Sequence, residues 1–123
     1  MLIEAPVSSR GPRRGKTTAA PPASGPLAQA RVVAVIAMGG QLAWWVFSVP
    51  FSLGADDPQL ILDTDAGPQL PTDYAVVSDH VLSVVYGDGD IEAGLTWHLN
   101  TAAGLVFAGG VPVPLPQSGT TVQ

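Results

Sequence analysis

Val32-Val-Ala-Val-Ile-Ala-Met38, Gly39-Gly40 and Gln41-Leu-Ala-Trp-Trp-Val-Phe47 lie inside an uncharged run from residue 32 to residue 55, and how that run is divided decides the fold. Taken whole, residues 32–52 are long enough for a membrane-spanning helix, which needs about 20 apolar residues. Gly39, Gly40, Gln41, Ser48, Pro50 and Ser52 interrupt such a span. Trp44 and Trp45 also sit near its middle, whereas membrane helices keep tryptophan at the interfaces. Taken as two runs of seven residues about a Gly-Gly dipeptide that tolerates positive φ, the same stretch is a buried β-hairpin. We expect the hairpin and keep a single-pass membrane protein spanning with residues 32–52 as the alternative. A cleaved signal peptide is not expected, because the apolar run follows 31 residues of proline-rich sequence.

Downstream, Gln59-Leu-Ile-Leu-Asp63, Tyr74-Ala-Val-Val77, His80-Val-Leu-Ser-Val-Val-Tyr86 and Leu105-Val-Phe-Ala108 are each of strand length, bounded by turn residues at 64–68, 87–90 and 100–104. Leu95, Trp97 and Leu99 alternate with Thr96, His98 and Asn100, which places the apolar three on one face of a half-buried strand. After Gly109-Gly110, the segment Val111-Pro-Val-Pro-Leu-Pro116 reads as an extended, polyproline-like tail. The expectation is an all-β protein: a small antiparallel sandwich or jelly-roll-like barrel over residues 32–110, with an extended arm at 1–31 and a Pro-rich tail at 111–123. With no cysteine, neither disulfides nor thiolate metal sites can hold it, so apolar burial or contacts with neighbours must.

Upstream, residues 1–31 are rich in proline, glycine and small residues and hold every basic side chain: Arg10, Arg13, Arg14, Lys16 and Arg31. Nine of the ten acids fall between Asp56 and Glu92. A basic arm joined to an acidic body points to docking on an acidic protein surface, including the body of a neighbouring copy. Nucleic acid is a poorer partner for it. The body would repel phosphates, and no aromatic residue in the first 43 positions offers a stacking platform. Only 12% of the chain is charged, about half the usual share, so much of the body's surface is expected to face protein. Adjacent residues of a strand point to opposite faces. Either Trp44 or Trp45 therefore meets a partner while the other fills the core, or the strand is buried on both faces. The seven candidate partner-binding residues are Arg10, Arg13, Arg14, Lys16, Arg31, Trp44 and Trp45.

No catalytic or cofactor constellation emerges. Gly11-Pro-Arg-Arg-Gly15-Lys16-Thr17 resembles a phosphate-binding loop but is one residue short, loses an amide at Pro12 and lacks the flanking strand and helix. Asp88, Asp90 and Glu92, with Asp56, Asp57, Asp63 and Asp65 elsewhere, offer oxygen ligands for calcium without the spacing of a calcium loop. A calcium-assisted secreted binding module is therefore a further alternative. His80 beside Asp79, and His98 on a polar strand face, have no serine elbow to serve. The expectation is a non-enzymatic protein with no cofactor.

The Pro/Ala/Gly-rich arm with Arg13-Arg14, the lysine-free body with Leu42-Ala-Trp-Trp-Val-Phe47 and Gly94-Leu-Thr-Trp-His-Leu-Asn100, and the Pro-rich exit resemble in style the small virion structural proteins of tailed bacteriophages. Capsid decoration, or cement, proteins are the nearest group. The resemblance implies a compact β domain seated over capsomer junctions in a virion, with extended termini clamping neighbours, the major capsid protein as partner, and homo-oligomers. It transfers a class of protein and no residue-level site.

Overall fold

The structure is a computed structural model that describes residues 29–123. The uncharged run divides as two strands, β1 (Val32–Gly39) and β2 (Leu42–Phe47), followed by β3 (Phe51–Leu53). Between β1 and β2 the turn falls at Gly40 and Gln41, one residue later than the sequence suggests. Met38 is the cause: the register shifts between Ala37 and Gly39, a bulge that lets Gly39 pair with Leu42. Gly39 and Gly40 have φ of 100° and 58°, which only glycine adopts without strain. Residues 32–52 are thus strand and turn. Among the described residues, no helix is long and apolar enough to cross a membrane.

Seven further strands follow: β4 (Leu60–Thr64), β5 (Gly67–Gln69), β6 (Pro71–Ser78), β7 (Val81–Tyr86), β8 (Thr96–Leu99), β9 (Leu105–Phe107) and β10 (Gln117–Thr120), with a 3-10 turn at Ala108–Gly110. They form one four-stranded sheet in the order β1-β2-β7-β6, a second in the order β10-β8-β4-β5, and a two-stranded ribbon, β9-β3. Every strand pair is antiparallel. The body is all-β, as expected, and of the two expected forms it is the sandwich; the sheets are not closed into a barrel.

The inner faces of the two sheets meet through large side chains. Trp45 on β2 and Trp97 on β8 pack edge to face with ring centroids 5.6 Å apart. The Trp45 indole N–H donates to the Tyr86 hydroxyl (2.9 Å), which donates across the sandwich to the Leu60 carbonyl (2.8 Å). Leu60, Leu62, Leu82, Val84 and Leu99 fill the space around this relay. The ribbon closes one end, where Phe51 and Phe107 both pack on Phe47. Trp97 and Leu99 lie on the buried side of β8, as the alternation predicts, while Thr96 is exposed.

Residues 111–116 run without regular structure, and then the chain does what its prolines did not suggest. Gln117–Thr120 pairs with β8 as an edge strand, and Val122 forms a parallel bridge with Ile36 on β1, joining the two sheets at one corner. The C-terminal segment is therefore not a free tail. The buried Gln117 side chain explains it: its Oε1 accepts from the Val32 amide (2.8 Å), and its Nε2 donates to the carbonyls of Ala30 (3.0 Å) and Pro114 (2.9 Å). Gly119 lies flat on the Trp97 ring, where a β-carbon would approach Cζ2 to 2.7 Å. Ala30 is fully buried and its amide donates to the Pro112 carbonyl (2.9 Å), so the packed body extends upstream at least to Ala30.

Candidate interaction surface

Because Trp45 faces the core, its neighbour Trp44 faces out. Trp45 is 0% exposed and is a core residue, which corrects its candidacy as a partner contact: the inward alternation of Ala43, Trp45 and Phe47 places its indole between the sheets. Trp44 stands partly exposed on the outer face of the first sheet. Cross-strand register builds that face in three rows. One row is Ile36, Trp44, Ser83 and Ala75; a second is Ala34, Val46, Val81 and Ser78; the third is Gly39, Leu42, Val85 and Asp73. Asp73 at one corner is the only charge in these rows. Ile36, Leu42, Val46 and Val81 are half-buried, and Val85 is 37% exposed. An apolar sheet face of this kind is unusual on a protein that keeps water on one side, where polar residues normally alternate outward.

The body around this face is strongly anionic. Residues 29–123 carry nine acids against Arg31 alone. Arg31 is exposed at the start of β1, where its guanidinium donates to Gln29 Oε1 (2.5 Å), and it has no carboxylate partner among the described residues. It borders a polar cavity of about 380 Å³ with Trp97, Pro114, Pro116 and Ser118. Arg31 lies five residues from Ile36, the strand neighbour of Trp44, so about 16 Å separates their backbone positions along the strand. The structure does not bring the two together. Arg10, Arg13, Arg14 and Lys16, with the glycine-rich stretch at 11–17, fall outside the described residues.

The groups considered for chemistry are dispersed. His98 Nε2 and Asp63 Oδ2 are 2.8 Å apart on the outer face of the second sheet, a pair 35 residues apart in sequence that no local pattern signals. His80 is exposed in the β6–β7 turn, and its carbonyl accepts from the Phe47 amide. Among the described residues, no three His, Asp or Glu side chains are grouped to hold a metal ion. The Tyr74 phenol donates to Asp57 Oδ1 (2.7 Å), and that hydrogen bond, with partial desolvation and the charges of Asp57 and Asp73, raises its pKa above 10.0. Burial raises that of Tyr86 much further, against the opposing pull of the Trp45 hydrogen bond.

No protein-family model, curated protein or solved structure matches this chain.

Proposed function

We propose that the protein is a non-enzymatic structural subunit of a large assembly, of the capsid-decoration kind that its sequence resembles. Its β body packs on neighbouring subunits through the Trp44 face. Its basic arm, with Arg10, Arg13, Arg14, Lys16 and Arg31, docks on an acidic protein surface, either the body of another copy or a major capsid protein. The observation that carries this reading is the apolar outer face itself: on a body with nine acids and one base, a whole sheet face has one charge at its corner. Packing that face against protein removes aliphatic and indole surface from water at about 25 cal/mol per Å². The segregated arm supplies the long-range attraction.

Fluorescence quenching tests the face and binding tests the arm. Trp45 and Trp97 are 0% and 6% exposed, so Trp44 should account for nearly all the emission open to a neutral collisional quencher. That accessible fraction should fall as the protein assembles. Full-length protein should also bind immobilised full-length protein, and alanine at Arg10, Arg13, Arg14 and Lys16 should weaken binding, with most of the loss at low salt. A Trp44 that stays open to quencher in every associated state, together with binding indifferent to the four alanines, would overturn the proposal.

A further inference from the structure

The open edge of the first sheet is β6, which pairs with β7 on one side and, among the described residues, with nothing on the other. It is eight residues long, and most of it is exposed. Natural edge strands are usually short or guarded by lysine, proline, bulges, inward charges or covering loops; β6 starts at Pro71 and is bulged at Thr72 and Val77, which leaves residues 73–76 as its regular stretch. β6 has no lysine, and near its far end it exposes two aliphatic side chains, Val76 (51%) and Val77 (48%). Val76 is opposite Leu82 and so lies on the core side of the sheet, where the smaller second sheet leaves it uncovered. An unpaired ladder and an uncovered inward valine on the same strand are independent signs of a missing neighbour.

We infer that β6 pairs antiparallel with β6 of a second copy about a two-fold axis near Ala75, joining the two four-stranded sheets into one of eight strands. This deepens the proposed function and rests on its premise that the protein works among its own copies. The axis must pass through a residue, because directly opposed residues in an antiparallel ladder share a face. Centred on Ala75, it sets Tyr74 against Val76 of the partner subunit and Val76 against the partner's Tyr74, two aromatic–β-branched pairs of the kind that stabilise sheets. Asp73, the one charge within β6, then falls toward the bulged Val77 of the partner subunit and not its own copy, so no carboxylates are opposed. The outer rows of the two sheets run on into each other through Ala75. Pairing must displace one local contact, since Asp73 Oδ1 accepts from the Tyr74 amide (2.9 Å).

The salt response separates this contact from arm docking. Two bodies with excess negative charge repel, so β6 pairing should strengthen as salt rises, whereas attraction between the arm and an acidic surface should weaken. Sedimentation of the full chain at high salt should show a concentration-dependent dimer. Val76→Lys places two cations at the symmetric seam and should weaken that dimer by about tenfold or more while leaving the melting temperature close to wild type. In the wild-type protein, amide exchange at residues 73–77 should slow as concentration rises, a readout that does not depend on any variant folding. The alanine variant of the arm should dimerise like wild type at high salt. A chain that stays monomeric at every concentration in high salt, a dimer indifferent to Val76→Lys, or exchange at 73–77 independent of concentration would each overturn the inference.

Discussion

Tyr86 shows how much one residue can decide in a small sandwich. It ends β7, its ring is fully buried, and its hydroxyl is both acceptor for Trp45 and donor to Leu60, so a single oxygen ties β2 and β7 to β4 across the core. Tyr86→Phe keeps the ring and removes the oxygen. It leaves a buried indole N–H without its acceptor and the Leu60 carbonyl without this donor. We expect a loss of about 1–3 kcal/mol in stability, measured by denaturant unfolding, with the fold retained. The adjacent tryptophans carry the same lesson. The alternation of β2 implies that they face opposite ways. Which of the two faces inward follows from the register of β2 against β1 and β7, and that depends on pairing partners far away in the sequence.

Among the elements, the hairpin and β8 are nearly legible from local pattern, while β10 is not. Equal apolar runs about a Gly-Gly pair specify a turn within one residue of where it falls, and the period-two alternation of residues 95–100 specifies the buried face of β8. Gln117-Ser-Gly-Thr120 has no aliphatic or aromatic side chain, so no hydrophobic pattern marks it as a strand. It forms one because Gln117 satisfies two carbonyls and an amide of other segments, and because Gly119 lets the backbone lie on Trp97. Gln117→Ala should therefore destabilise the body by about 2–4 kcal/mol, since buried backbone groups at Val32 and Ala30 lose their partners. The loss should appear in thermal unfolding and as faster amide exchange at Val32. A polar residue in a merely trailing segment would leave both unchanged. Short β5, with Gly67-Pro68-Gln69, was likewise hidden: its sequence reads as a turn, and pairing with β4 makes it a strand.

For the whole molecule, charge placement and tyrosine burial govern the response to solution conditions. Both tyrosines have folded-state pKa values above 10.0, Tyr86 through burial and Tyr74 chiefly through its hydrogen bond to Asp57. Above pH of about 10 the unfolded chain releases phenolic protons that the folded chain retains, so the folded state binds more protons and stability falls as pH rises. The contribution is present in full below that pH and lost above it. Denaturant midpoints should be nearly flat from about pH 8 to 9.5 and drop steeply beyond, and Tyr86→Phe should flatten the drop. At the same scale, the Trp44 face and the β6 edge give the body two apolar exits in different directions, which suits a subunit with more than one neighbour.

The sequence alone determined the strand content and the charge division, because alternation, turn chemistry and the order of charges are local properties of a chain. It also required that Trp44 and Trp45 face opposite ways. Only the tertiary structure decided that Trp45 is the buried one, that the sheets stay open, that residues 117–122 close the corner between them, and that β6 is an edge of the first sheet with no partner among the described residues. Each of these follows from register and burial among segments tens of residues apart, where a shift of one position turns every side chain of a strand to the other face.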